Sequence, residues 1–292
     1  MKKNSWLVIL ALLLIVSCSK SKNERVVDDP NQGSITIEAD ESFKSIIDAL
    51  TDRYMANNPN TKIKVIYKKE DLAFLDLLDA KTRVIVMSRN LSQSEKNAFD
   101  QKVALPWEPA KFAADALVFV VPKTNTSIKE LSVDDIKRRI SSDDKSLIFD
   151  GGNGANINFI AQTFNVKASA LKYSVINGNE NIIDQLEKYP NKIGVVSLNT
   201  ISRPYGDEAM RLREKINILP ITSNGVTYTP TVDNLQDMKY PFTRVLYFLA
   251  NENYYGLGNG FIRFSCTQLG QMIVEKEGLQ PYNMYRREVQ MR

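Results

Sequence analysis

The strongest constraint on the fold is a repeated alternation of short apolar strands with amphipathic helices, met first between Ile35 and Tyr67. Ile35, Ile37 and Ala39 alternate with polar neighbours as a half-buried strand does. Phe43, Ile46, Ile47, Leu50 and Tyr54 follow at helical spacing behind Ser42, which reads as the N-cap, and Ile63, Val65 and Tyr67 alternate again. Strand, helix and strand in this order predict a parallel pair joined by a crossover helix. The pattern continues with a helix from Asp71 to Leu78, a buried strand from Val84 to Met87, and a helix opened by Ser92 with Glu95 completing a capping box. An apolar strand from Asp115 to Val121 is closed by Pro122, and Ser132-x-x-Asp135 opens a further helix. Beyond it the spacing predicts helices over Ala168 to Tyr173 and Asn181 to Tyr189, and strands over Ile193 to Leu198, Ile216 to Thr222 and Thr243 to Ala250. One long helix from Gly260 to Lys276 comes last, stopped by Gly278 and Pro281. Such a chain is α/β, with mostly parallel sheets.

One connection in this series is chemically distinct. Leu147 to Phe149 reads as a buried strand, and Ile157, Ile160, Ala161 and Phe164 share a face of a helix beginning near Asn156. The turn between them, Asp150-Gly151-Gly152-Asn153-Gly154-Ala155, is polar and glycine-rich. It would let backbone approach a bound group closely, with free N–H donors and the helix dipole favouring an anion. The plain alternative is an ordinary strand-to-helix turn. A nucleotide loop does not fit, since no Gly-Lys-Ser/Thr precedes the helix and Ile157 stands where a third glycine belongs.

With 292 residues, 43% of them hydrophobic, the chain can bury one large or two modest cores, and its formal charge of +4, with acidic and basic residues interspersed, gives no pull toward nucleic acid. Lys2-Lys3 before the apolar run Trp6 to Val16 has the form of a secretory signal over residues 1–17, too short to span a bilayer. Its ending, Ile15-Val16-Ser17-Cys18, resembles a bacterial lipobox, which would make Cys18 a lipidated first residue; a plain signal with an incidental Cys is the alternative. Residues 18–33 then read as a tether. Cys266, at helical spacing with Ile262, Leu269 and Ile273, reads as a small buried hydrophobe, and with Cys18 lipidated no disulfide is possible within one mature chain.

The chain has no histidine, which removes Ser-His-Asp and Cys-His hydrolases and the common His-containing metal sites; no cofactor and no metal are expected. Carboxylate chemistry stays open through Asp40, Glu41 and Asp150, each of which has a plain reading as cap, turn former or solvated charge. Three helix starts, at Ser42-Phe43, at Ser88 to Asn90 and at Gly154 to Asn156, present hydroxyl, amide or backbone N–H donors, and Arg89 could add a charge-assisted contact. Taken together they point to binding of a small oxyanion.

The order of segments resembles the phosphate-binding, PstS-like solute-binding proteins of ABC importers. The resemblance rests on Ile35 to Phe43, on Ile85-Val86-Met87-Ser88-Arg89, on Ile193-Gly194-Val195-Val196 and on Tyr240 to Tyr247, then on Phe261-Ile262-Arg263-Phe264 and Gly270 to Gly278. It implies a type II periplasmic-binding fold: two lobes, each a mostly parallel sheet flanked by helices, joined by two crossing strands. Residues 34–118 and 240–292 would form the first lobe and residues 119–239 the second. The site would be Ser42, Phe43, Ser88, Arg89, Gly154, Ala155 and Asn156. The partners implied are phosphate as first candidate, an ABC permease, and a membrane through the Cys18 lipid, with the protein facing the periplasm and not acting as an enzyme. The chain departs from the family at Gly154, where a hydroxyl is lost, at Asn156, where a hydroxyl becomes an amide, and at Asn158, where a guanidinium is missing; Arg89 stands where some members have Asp. These changes predict weakened phosphate binding, and they keep open a member of the same fold that has lost transport and serves as sensor or structural partner in an envelope complex.

Overall fold

A computed structural model describes residues 28–285; Lys2, Lys3, the apolar run to Val16, Cys18 and most of the expected tether lie outside them. The chain runs β1 (Gln32–Ala39), α1 (Lys44–Asn57), β2 (Asn60–Tyr67), α2 (Glu70–Leu78), β3 (Val84–Met87), α3 (Gln93–Lys102) and β4 (Ala110–Pro122). Next come β5 (Leu131–Ser132), α4 (Val133–Ser141), β6 (Leu147–Phe149), α5 (Ala155–Thr163), β7 (Ser174–Val175), α6 (Asn179–Gln185), β8 (Ile193–Ser197) and α7 (Asp207–Glu214). The last third is β9 (Ile216–Ile218), β10 (Ile221–Ser223), β11 (Val226–Tyr228), α8 (Val232–Gln236), β12 (Thr243–Ala250), α9 (Leu257–Cys266), α10 (Gln268–Lys276) and β13 (Gln280–Pro281).

The main sheet has the order β2-β1-β3-β12-β4-β8-β6-β7, with β9 and β13 also on β4. As the alternation predicted, β1 lies parallel to β2, with Ile35 opposite Ile63 and Ile37 opposite Val65, and α1 covers the pair with Ile46, Ile47, Leu50 and Tyr54. The outer strands of both lobes are parallel, β2-β1-β3 in one and β8-β6-β7 in the other. Strand β4 passes from lobe to lobe: Ala110 to Ala116 pair antiparallel with β12, and Leu117 to Val120 pair antiparallel with β8. The return is made at Tyr240 to Thr243, where the carbonyl of Phe242 accepts from the N–H of Leu117. Helices α9 and α10 come back onto α1, α9 also packing on β1. A small sheet, β11-β10-β5, stands apart.

Five local expectations are corrected. Ser42 is not the cap: a short turn, Glu41–Phe43, precedes α1, and Asp40 caps it by accepting from the N–H of Ser42. The helix expected over Ala168 to Tyr173 is a single turn, Ala168–Ala170, because Lys167 and Leu171 are extended and Leu171 docks in the core before β7. The strand expected over Ile216 to Thr222 is two strands on different sheets, separated at Pro220, which has no N–H to give a ladder. The last helix breaks at Thr267, which is extended (ψ 170°) and donates its hydroxyl to the carbonyl of Phe264. Gly270 is needed at this corner, since a Cβ there would stand 2.4 Å from the carbonyls of Phe264 and Ser265. Cys266 is half-buried rather than fully buried, and burial pushes its thiol up to about 11. Among the described residues no helix is long and apolar enough to cross a membrane.

Candidate functional site

Two of the three turns singled out by sequence, at Ser42 and at Ala155, meet around the side chain of Asp40 where the two lobes face each other, and the third, at Ser88, joins them through Glu70. Asp40, the residue directly after β1, is fully buried. Its Oδ1 accepts from the N–H of Ser42 at 3.0 Å, while Oδ2 accepts from Glu70 at 3.3 Å and, across the cleft, from Ala155 at 3.0 Å. The last two donors are the first helical residues of α2 and α5, whose caps, Lys69 and Gly154, supply no side-chain acceptor. Helix starts leave N–H groups unpaired and carry partial positive charge, so a carboxylate aimed at two of them together is strongly favoured. The approach is close: a Cβ on Gly154 would meet Lys69 Cδ at 3.2 Å and Asp40 Oδ2 at 3.4 Å.

A second internal carboxylate takes the donors of the neighbouring loop. Glu70 is fully buried, and its Oε1 accepts from the N–H of Ser88 at 2.7 Å and from its hydroxyl at 2.9 Å. Glu70 Oε2 has no hydrogen-bond partner, although Nε of Arg89 lies 3.3 Å away. Burial raises the Glu70 carboxyl above its ordinary range, against the pull of Arg89 and the Ser88 N–H and with the Asp40 charge adding to it. Arg89 also binds Glu95 at 2.7 Å and Asp71 at 2.8 Å. Although burial works against its charge, these three carboxylates raise its pKa, leaving one guanidinium bound by three acids.

The remaining predicted residues are structural neighbours of this centre. The Phe43 ring is buried with the Arg244 guanidinium 4.8 Å from its centroid, and Arg244 in turn is paired with Asp115 at 2.8 Å, both side chains wholly enclosed. Asn156 donates its amide to Asp150 at 3.3 Å and to Asn179 at 2.9 Å, and Asn179 donates to the Ser42 hydroxyl at 3.1 Å. Asn158, where the family resemblance placed a guanidinium, donates to Asp71 at 2.7 Å.

These bonds hold the lobes against each other. Lys69 Nζ reaches across to the Asp150 carbonyl at 2.7 Å and its carboxylate at 2.8 Å, and Asn90 and Gln162 exchange two hydrogen bonds at 3.0 and 2.9 Å. Burial and the nearby Asp40 charge raise the Asp150 carboxyl, partly offset by Lys69. A cavity of about 590 Å³ opens beside Ser42, Asn179 and Asn199, toward Glu180 and Arg203. Glu70, Lys69 and Asn179 carry no site signal in the sequence, and Asp40 reads there only as a carboxylate near the cleft. The available signal for Asp40 was an Asp two residues ahead of an N–H at a helix start; nothing local announced that α2 and α5 lacked caps of their own.

Two lobes closing over a cradle of helix-start N–H groups define a periplasmic-binding-protein-like fold. The model of the PBP superfamily domain matches residues 27–268, and the chain belongs to that family. It is PstS-like: the phosphate-binding protein PstS of Borreliella burgdorferi is 25% identical over 304 aligned residues, 95% of this chain and 98% of that one. Among solved structures, a putative phosphate ABC transporter substrate-binding protein with bound phosphate from Clostridium perfringens superposes with a TM-score of 0.69 at 20% identity, covering 86% of this chain and 100% of that one. An ABC-type phosphate transport receptor from Vibrio cholerae superposes at 0.62 with 16% identity, covering 85% and 100%. At these identities the solved structures attest the fold alone.

Proposed function

We propose that this protein is a solute receptor of the cell envelope that acts by binding and not by turnover, capturing a small oxyanion between its lobes, phosphate first, for delivery to an ABC importer. In this reading Cys18 carries the lipid that holds it to a membrane, facing the periplasm. The observation that carries the proposal is the convergence of three backbone N–H groups, from Ser42, Glu70 and Ala155, on one pair of carboxylate oxygens. Such a cradle is built for an oxyanion, and two of its donors come from opposite sides of the cleft. The PstS-like relatives make phosphate the first solute to try. One observation favours a second reading, the same fold without transport as sensor or structural partner in an envelope complex: the oxyanion in the cradle is the protein's own Asp40.

Calorimetric titration of the full chain with phosphate, sulfate and other small anions tests the proposal. Saturable phosphate binding, weaker than a PstS cleft lined by hydroxyls and a guanidinium would give, is the expected result. No heat with any small anion, for the natural chain and for variants freed of Asp40, would overturn it in favour of the second reading.

A further inference from the structure

We propose that Asp40 is the resident ligand of the cradle: its carboxylate stands in for the solute, latches the two lobes shut, and sets the specificity of the cleft against phosphate. The inference rests on the reading of the cradle as the anion site.

Three lines of geometry support it. The Asp40 oxygens already fill donors from α2 of the first lobe and α5 of the second, so the link between lobes that a bound oxyanion would make is present without one. Glu70 likewise takes both the N–H and the hydroxyl of Ser88, and Arg89 is held by Glu70, Asp71 and Glu95. The donors of Ser88 and Arg89 are therefore spent on internal acceptors. The charge balance points the same way: the Asp40 charge acts on both Glu70 and Asp150, and Lys69, which also feels it, is bonded to Asp150 at 2.8 Å. A phosphate entering with Asp40 in place would meet like charge and find the cradle N–H groups of Ser42, Glu70 and Ala155 already taken. It must displace the carboxylate first, and its apparent affinity falls by the fraction of time the cradle is occupied.

The test uses two variants of the full chain. Asp40→Ser removes the carboxylate and keeps a short acceptor to cap the Glu41 turn. Asp40→Asn keeps an acceptor for the N–H of Ser42 but presents an amide NH2 toward the N–H groups of Glu70 and Ala155, so it unlatches the lobes by a different route. Phosphate affinity is read by calorimetry and lobe opening by small-angle X-ray scattering. The expected result is a natural chain equally compact with and without phosphate, and variants that expand without phosphate, close with it, and bind it at least about tenfold more tightly. Variants that stay compact and bind phosphate no better than the natural chain would overturn the inference. So would a natural chain that binds phosphate more tightly than either variant, though the receptor reading would then stand. Variants that expand yet bind no anion would uphold the latch and overturn the receptor reading.

Discussion

Helices α3 and α4 begin differently from helices α2 and α5, and the difference separates what is structural here from what belongs to the site. Ser92 and Ser132 each accept from the N–H three residues on and are answered by Glu95 and Asp135, so both helix starts are closed within four residues of chain. Helices α2 and α5 begin at Lys69 and Gly154 with no acceptor of their own, and the carboxylate that answers both comes from the end of β1, 115 residues before Ala155. A helix start closed locally is finished without the rest of the fold. One left open is where a solute, or an internal substitute for it, can hold two lobes together.

The sharpest way to test whether long-range carboxylates carry more of the structure than local caps is at Asp115. It resembles Asp40 in taking donors from distant chain, the Asn199 N–H at 3.0 Å and the Ser197 hydroxyl at 2.7 Å, but unlike Asp40 it also holds a cation, Arg244. Asp115→Ala strands a fully buried guanidinium between Phe43 and Phe159. The expected loss is about 3–5 kcal/mol in urea unfolding, the largest of any substitution considered. A loss near that of an exposed pair, below ~1 kcal/mol, would show that Arg244 finds water or another partner and that the buried pair is not what joins β4 to β12.

The contrast between the helix starts also explains what could be read from the chain beforehand. Strands at Ile35 to Ala39, Val84 to Met87 and Leu147 to Phe149, and the capping boxes at Ser92 and Ser132, are local patterns of burial period and hydrogen-bond chemistry. They were legible because each is decided within a few residues. The end of a helix at Thr267 and the division at Pro220 depend on packing against other segments, and periodicity alone runs through them. The donors were legible: Ser42 and Ala155 share Asp40, Asn156 is linked to Ser42 through Asn179, and Ser88 is reached through Glu70. Their acceptors were not, because a carboxylate's partner across 115 residues leaves no periodic trace, and Glu70 at the first position of α2 looks like any acidic first-turn residue.

The site should also differ from the caps in its response to pH. Burial places the folded-state pKa of Glu70 and Asp150 above the unfolded values, near 4.5 and 3.8. A raised carboxyl contributes stability that is fully present below the unfolded pKa and is lost as pH rises through the folded one, because the folded state then holds a proton the unfolded state has released. Asp135 in the α4 cap is lowered, by its bonds from Ser132, so its contribution is present above the unfolded value and is lost only on acidification through the folded one. Above the unfolded values the site should slope, with stability rising as pH falls toward them, whereas the Asp135 cap should not. Glu70→Gln should flatten that slope, measured by denaturant unfolding at several pH values. Identical slopes in the two proteins would show that Glu70 keeps its charge throughout, matched by Arg89.

The smallest effect is expected at the local caps, and it decides whether the comparison holds. Ser132→Ala removes the acceptor for the Asp135 N–H while leaving α4 packed through Ile136 and Ile140, so the loss should be about 1 kcal/mol. That loss should be confined to global stability: neither phosphate affinity nor the scattering profile should move, since Ser132 is not among the residues that bridge the cleft. Asp40→Asn, by contrast, should change both readouts even where its effect on unfolding is no larger than that of Ser132→Ala. If Ser132→Ala also opened the lobes, closure would be a property of overall stability and not of the one carboxylate at the cleft. An unchanged profile, beside an expanded Asp40→Asn, would assign closure to Asp40.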